Sequence, residues 1–365
     1  MQNKILSNID SLIGDENSHF LLAVSGGVDS MVLLDLFQKN HDSLKYSVAH
    51  INHNYHSESK RMENFVKVKC EEKQCRLIVK SLESTKITSN IESQLRKLRY
   101  NKLEEIRKEI NADFIVTAHH ADDQVETILM KILNSSGIDG LQGIRKVNQN
   151  IIRPLNDISK EEIVDYAALN NLNYLDDPTN LDTKFTRNFL RANIVPELKK
   201  IKNDIHIPFI DLTNRIEDVQ HLISFNVQHF CNSDHFKVND EIIEINKAEF
   251  FNLPFLVQLK IFSKACLKSN NSFSKTDIRE LKDFFRKNHT GSIKQLNTKT
   301  IFIDQNSLFI YKNLNNEIFN EVEAGNEFKA TNFTFSWDFK DVPENFTDNN
   351  QVEYIDASKL KNNLV

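Results

Sequence analysis

The sequence predicts an α/β fold: a parallel sheet with helices on both faces, followed by a helical region and a small β-rich segment towards the C-terminal end. Three observations predict it. Short apolar runs alternate with amphipathic charged runs from His19 to about residue 170. A glycine pair, Gly26-Gly27, stands at the first boundary between the two types, in a chain with only 8 glycines. Beyond about Leu198 the alternation stops, giving way first to helical stripes and then, from Gly291, to β patterning. Repeated βα alternation argues for parallel strands joined by covering helices. On such a sheet ligands sit beyond the carboxyl ends of the strands.

Taken in order, His19–Val24 is an apolar run ending at the glycine pair, and Met31–Phe37 follows with helical spacing. Tyr46–Ile51 reads as a second strand and Glu58–Glu72 as a charged amphipathic helix. Arg76–Val79 is a third strand; Ile91–Ile110 is a long helix with Ile91, Leu95, Leu98, Ile106 and Ile110 on one stripe. Phe114–Ala118 is a fourth strand, Asp122–Leu133 the helix after it, and Ile151-Ile152 the start of a fifth strand. Ser159-Lys-Glu-Glu162 is a capping box that opens another helix. Further on, Leu212, Ile216, Val219 and Ile223 form a helical stripe, and Pro254–Leu267 and Lys275–Lys287 read as two more helices. Ile301–Ile303 and Leu308–Tyr311 flank a turn and read as a hairpin, and Asn332–Phe339 alternates like another strand. The expected division is 1–198, 199–290 (helical) and 291–365 (β-rich).

The 365 residues suffice for about two to three domains. The net charge of −5 argues against a uniformly basic nucleic-acid coat but leaves room for a local basic groove. Cys70, Cys75, Cys231 and Cys266 form no C-x-x-C and read as reduced thiols of a cytosolic protein. Met1–Asn8 lacks an apolar signal core, and no apolar run reaches the ~18 residues of a membrane span, so a cytoplasmic protein without a membrane partner is expected.

Four constellations carry chemistry. The first, Ser25-Gly26-Gly27-Val28-Asp29-Ser30, lies between a strand and a helix. The glycines let backbone N–H groups converge, and a helix N-terminus adds positive potential, so the segment suits a phosphate. Ser25 and Ser30 can donate to phosphate oxygens. Asp29 repels phosphate directly and suits a metal ion bridging to it. No Gly-Lys-Ser/Thr follows and no G-x-G-x-x-G is present, which excludes a Walker A loop and a dinucleotide fingerprint. The bland alternative is an ordinary βα turn.

The second, Thr117–Thr127, places His119, His120, Asp122, Asp123 and Glu126 at a strand end and in the first helical turns. Helix capping explains one or two of these acids, but not the histidine pair; a zinc site lacks a third ligand at the usual spacing. The third is Glu92, Arg96 and Arg99 on one helix face, with Tyr100 beside them. A solvated salt-bridge ladder competes with a functional reading there. The fourth is Asp176–Asn180 followed by Phe185–Arg191, where Arg187 and Arg191 are spaced i, i+4 and Lys184, Lys199, Lys200 and Lys202 add positive charge suited to nucleic-acid phosphate.

Ser25–Ser30 resembles the PP-loop of the ATP pyrophosphatase superfamily, whose nucleotide-binding domain is Rossmann-like. The four constellations in this order resemble the tRNA(Ile)-lysidine synthetases. The run Thr117–Leu141 is closest to that family; His50–His53, Arg153-Pro154 and Arg187–Arg191 add to it. The resemblance covers about residues 20–200 and continues more weakly to Tyr311. Asn54, His56, Ser93-Gln94 and Ser135–Gly137 depart from the usual family residues, and Gln351–Val365 is similar to the start of a C-terminal module of longer members.

The resemblance implies ATP and Mg²⁺, with Ser25–Ser30 holding ATP and Asp29 reaching the metal. It implies L-lysine and the CAU-anticodon isoleucine tRNA as substrates. Arg96, Arg99, His119, Asp122, Asp123 and Glu126 are then catalytic or substrate-binding, and Arg187 and Arg191 face the tRNA. The oligomeric state stays open, a homodimer included. Competing readings are a tRNA thiolase, a small-molecule amidating synthetase and a non-catalytic RNA-binding relative.

Overall fold

A computed structural model describes residues 7, 18–40, 44–52, 58–82, 91–175, 183–239, 242–266, 273–296, 299–312, 327–329 and 334–336. His53, Asn54, His56, Asp176–Asn180 and Gln351–Val365 lie outside them. The chain divides into two compact units, Met1–Ser224 and Phe225–Val365.

In the first unit, β1 (His19–Ala23), β2 (Lys45–Asn52), β3 (Leu77–Ser81), β4 (Phe114–Val116) and β6 (Ile151–Ile152) run parallel, and β5 (Val147–Asn148) closes one edge antiparallel to β6. The order is β3-β2-β1-β4-β6-β5. The helices between strands are α1 (Val28–Lys39), α2 (Glu58–Glu72), α3 (Ile91–Glu109) and α4 (Ala121–Leu133). They are followed by α5 (Lys160–Leu169), α6 (Thr186–Phe189), a π-helical turn Leu190–Ile194 and α7 (Val195–Ile201); α8 (His206–Cys231) continues past Ser224, where this unit ends. Strand β1 shows why both faces carry helices. Phe20 and Leu22 join one buried cluster with Met31, Leu34, Ile163 and Ala167, from α1 and α5. Leu21, one residue out of phase, joins another with Leu103, Ile106 and Ile110 around α3. Alternate side chains of a strand point to opposite faces, so a strand apolar throughout needs cover on both.

The strand order reverses at β1: the chain builds β2 and β3 on one side, then crosses to β4 on the other. The carboxyl ends of β1 and β4 therefore flank the crevice where ligands of such sheets bind. Helix α1 begins at Val28, three residues before the apolar stripe does, so Val28, Asp29 and Ser30 form its first turn. The Ser159 capping box is present, with Ser159 Oγ accepting from the N–H of Glu162 at 3.2 Å and Glu162 Oε2 accepting from the N–H of Ser159 at 2.8 Å.

The second unit has an antiparallel sheet in the order β7-β8-β11-β10-β9, from Phe236–Asn239, Ile242–Asn246, Ser307–Lys312, Lys299–Ile303 and Ile293–Gln295. Its strands β8, β10 and β11 bury Ile243, Ile245, Ile301, Ile303, Leu308 and Ile310 in one core. Phe250, Ile261, Phe262, Leu281 and Phe285 of α9 (Lys247–Phe251), α10 (Phe255–Cys266) and α11 (Lys275–Lys287) complete that core. Glu327–Lys329 (β12) pairs with Thr334–Ser336 (β13), inside the alternating stretch 332–339. The four cysteines are free thiols. Among the described residues no helix is long and apolar enough to cross a membrane.

Candidate active site

The loop after β1 is shaped by Gly26. Its φ of +98° lies in the region L side chains rarely adopt, and an added Cβ would stand 3.4 Å from Val66 Cγ2 and 3.5 Å from Phe65 Cδ1. Ser30 Oγ gathers the loop: the N–H groups of Ser25 and Gly26 donate to it at 3.2 and 3.1 Å, and it donates to the carbonyl of Gly27 at 2.9 Å. The N–H of Leu175 donates to the carbonyl of Gly26 at 3.0 Å. Gly27 is the N-cap of α1 and makes no side-chain cap hydrogen bond; an uncapped helix start is suited to an anion.

At the end of β4, two aspartates each divide their oxygens between a structural and a cationic partner. Asp122 Oδ2 accepts from the backbone N–H of Lys160 at 2.7 Å, while Oδ1 meets Lys199 Nζ at 2.6 Å. Asp123 Oδ2 accepts from the N–H of His120 at 3.1 Å, which is the capping role, while Oδ1 meets Arg187 at 2.9 Å and Arg191 at 3.3 Å. Burial opposes the charge of Asp122, but Lys199 and the Lys160 N–H outweigh it and hold the carboxyl below its usual range. For Asp123, burial is likewise outweighed, by His120, Arg187 and Arg191, and the carboxyl is held far below the usual range.

Glu126, with a side chain only 1% exposed, receives Arg187 Nε at 2.7 Å and Arg191 Nε at 2.6 Å. Asp29, at the start of α1, receives Lys160 Nζ at 2.5 Å. Four carboxylates (Asp29, Asp122, Asp123, Glu126) are thus matched by four cations (Lys160, Lys199, Arg187, Arg191).

Arg96 and Arg99 on α3 have no such match. Arg96 and Arg99 lie with their guanidinium carbons 5.3 and 5.6 Å from the ring centroid of Tyr100. Arg153, 5% exposed at the end of β6, spends Nη1 on the carbonyl of Arg145 at 2.7 Å, and its Nε has no hydrogen bond among the described residues. Among the described residues no carboxylate forms an ion pair with Arg96, Arg99 or Arg153. Burial weakens the hold of Arg99 on its proton. His119 links the two groups. Its Nε2 lies 3.4 Å from Arg96 Nη2, and its Nδ1 lies 2.9 Å from Thr117 Oγ1. A guanidinium can only donate, so Nε2 is the acceptor and Nδ1 carries the proton. Burial, with the nearby arginines, pushes the imidazole well below its ordinary pKa, so it is neutral at neutral pH. Glu92 lies on α3 with Arg96 and Arg99.

Lys160 is the site residue that sequence reasoning left without a role. The one signal was its position inside the Ser159–Glu162 capping box, beside an acid-rich strand end. Arg187 and Arg191, expected to meet tRNA phosphate, form ion pairs with Asp123 and Glu126. The π-helical turn at Leu190–Ile194, a feature frequent at functional sites, carries Arg191.

No protein cage of three or more His, Cys, Asp or Glu groups exists among the described residues. Mg²⁺ keeps its waters and binds through one or two carboxylates plus substrate phosphates, so it needs no such cage. Asp29, 28% exposed beside the loop, fits that role.

A glycine-bearing loop on a helix start, at the reversal point of a parallel sheet and outside the Walker and dinucleotide patterns, fits an α/β domain of the PP-loop class. The PP-loop domain family model matches residues 1–198, and the chain belongs to that family. It is 36% identical over 248 residues to a tRNA(Ile)-lysidine synthase of Thermosipho africanus, covering 66% of this chain and 55% of that protein. It is 37% identical over 204 residues to one of Bacteroides thetaiotaomicron, covering 54% of this chain and 47% of that protein. The chain thus spans about half the length of these curated relatives. The fold is similar to that of a U34-tRNA thiolase, NcsA, of Methanococcus maripaludis, with a TM-score of 0.52 at 18% identity, covering 59% of this chain and 77% of that one.

Proposed function

We propose that this chain carries out the lysidine synthetase reaction: ATP-dependent joining of L-lysine to C2 of the wobble cytidine in the CAU-anticodon isoleucine tRNA. The C2 carbonyl oxygen attacks the α-phosphorus of ATP, the α–β bond breaks and diphosphate leaves. The lysine ε-amine then attacks C2, and AMP departs with the oxygen. Adenylation makes the oxygen a leaving group. The product pairs with A instead of G, changing reading from AUG to AUA. The observation that carries this reading is the Ser25–Ser30 loop standing beside the His119–Glu126 acids at the sheet's reversal point, in a chain similar to lysidine synthases.

In this reading the Ser25–Ser30 loop, with Gly26, Gly27 and Val28 as its backbone, holds the diphosphate of ATP, and Asp29 holds Mg²⁺, which neutralises phosphate charge. The unmatched Arg96, Arg99 and Arg153 supply donors to negative charge on the α-phosphoryl oxygens and the RNA backbone. Asp123 receives a lysine ammonium, with Asp122 and Glu126 shaping the acid cluster. Neutral His119 accepts the proton shed by the attacking amine, since a neutral amine is the nucleophile. Arg191, whose side chain is 39% exposed, turns from Glu126 towards phosphate or RNA; Arg187, more deeply buried, stays as a counter-ion. The stretches 199–290 and 291–365 serve tRNA selection, and the protein works in the cytoplasm.

The test is incorporation of labelled lysine into transcripts of the CAU-anticodon isoleucine tRNA, with AMP measured alongside. Incorporation dependent on both ATP and that tRNA is expected. AMP release independent of tRNA and lysine would overturn the assignment.

A further inference from the structure

The Lys160–Asp29 pair differs from the other ion pairs of the site. Both side chains are partly open, 37% and 28% exposed, whereas Glu126 is 1% and Asp122 8% exposed. The 2.5 Å contact places an ammonium on the carboxylate assigned to Mg²⁺, the only ion pair Asp29 makes with Lys or Arg among the described residues. The backbone of Lys160 is fixed independently: its N–H donates to Asp122 at 2.7 Å, and the Ser159–Glu162 capping box sets the start of α5. The ammonium can therefore leave Asp29 without moving the helix.

We propose that Lys160 is an internal counter-ion that keeps Asp29 from taking a divalent cation until nucleotide arrives, so that metal and ATP enter together. This rests on the reading of Asp29 as the Mg²⁺ ligand. A metal ion entering alone must displace the ammonium and then leave it unpaired beside a double positive charge. A metal ion entering with ATP brings phosphates that give the displaced ammonium a new partner. The metal and the nucleotide thereby favour each other's binding, a reciprocal coupling between two ligands of one site. The loop contributes nothing opposing this, since its donors are neutral N–H and O–H groups.

The experiment measures Mn²⁺ binding to the full chain by electron paramagnetic resonance, with and without ATP, for wild type, Lys160→Met, Asp29→Asn and the double variant. Methionine keeps the length of the stem and the backbone N–H on Asp122. Lys160→Met should bind Mn²⁺ alone more tightly than wild type by roughly tenfold, the scale of one close charge removed from a partly open site. The gain should vanish in the double variant, and the enhancement of Mn²⁺ binding by ATP should shrink in Lys160→Met. Unchanged Mn²⁺ affinity in Lys160→Met without ATP overturns the proposal, and so does a gain that survives Asp29→Asn. Failure of the underlying reading shows elsewhere: Asp29→Asn would then bind Mn²⁺ with ATP as wild type does.

Discussion

Arg191 meets Glu126 at two points, Nε to Oε1 at 2.6 Å and Nη2 to Oε2 at 2.9 Å, while Arg187 Nε reaches Oε2 of the same carboxylate at 2.7 Å. Two guanidiniums from one helical segment thus converge on an acid that is almost wholly buried. Removing the acid leaves the two guanidiniums with Asp123 as their one remaining carboxylate partner among the described residues, a loss on the order of 3 kcal/mol for a buried pair. Glu126→Gln should therefore lower stability by about that amount in urea unfolding, with a smaller loss in Glu126→Gln/Arg187→Met. A fully stable Glu126→Gln would mean that the arginines are already solvated.

Gly26 supplies a second prediction. At φ +98°, with Val66 Cγ2 3.4 Å from where a Cβ would stand, Gly26→Ala strains the backbone whatever space is made. A left-handed conformation costs an L residue about 1–2 kcal/mol, and here the loop pays it by opening. ATP affinity should fall at least tenfold in calorimetry while the melting temperature changes little. Wild-type affinity would show that the loop tolerates a Cβ.

These two sites differ in how far they were legible beforehand. The loop was readable because glycine chemistry is local: Gly26-Gly27 between an apolar run and a helix admits few conformations. The parallel sheet was readable for a similar reason, through the continuous apolar strand around Leu21. The pairing of Arg187 with Glu126 joins residues 61 positions apart, and local periodicity carries no such information. Lys160 was hidden by a capping box that accounted for its neighbours and left its side chain unassigned. Strands β7 and β8 escaped notice because each offers one alternating pair, Phe236 with Val238 and Ile243 with Ile245, too short a pattern to separate from the surrounding helical stripes.

Arg99 and Tyr100 give a prediction about charge geometry. Arg99 stacks on the Tyr100 ring without a carboxylate partner, so its donors are available to a phosphoryl group. Lysine keeps the charge but loses the planar fork and much of the stacking. Arg99→Lys should lower AMP formation by roughly a hundredfold, the scale of one lost oxyanion donor, with folding unaffected. Normal turnover in Arg99→Lys would return the residue to a packing role.

Two histidines of the first unit set a pH dependence. His119 and His50 are both held below their ordinary pKa by burial, so the folded chain binds fewer protons than the unfolded chain in acid. Stability from their neutrality is complete above the unfolded pKa of about 6.5. It is lost as the pH falls from there towards the folded values. The melting temperature should drop between pH 7.5 and pH 5.5, and His119→Gln should reduce the size of that drop. An equal drop in His119→Gln would place the sensitivity in other groups.

The last prediction separates the two roles of Asp123. Its Oδ2 caps the N–H of His120 at 3.1 Å, and its Oδ1 faces Arg187 at 2.9 Å. Asparagine has one acceptor oxygen where aspartate has two. In Asp123→Asn that oxygen can serve the cap or the arginine, and the NH₂ group then opposes a donor on the other side. A stability loss of about 1–3 kcal/mol follows from the unsatisfied group alone, so melting by itself cannot separate capping from substrate binding. The KM for lysine can. If Asp123 receives a substrate ammonium, the variant should show a KM for lysine raised at least tenfold at a temperature where it is fully folded. Its ATP affinity should stay within about threefold of wild type, because among the described residues no hydrogen bond or ion pair joins the Ser25–Ser30 loop to Asp123. Asp122→Asn, which touches Lys160 and Lys199 instead, should shift the KM for lysine much less. If Asp123→Asn melts early but keeps a wild-type KM for lysine, its carboxylate is a cap and a counter-ion, and the ammonium site lies elsewhere in the cluster.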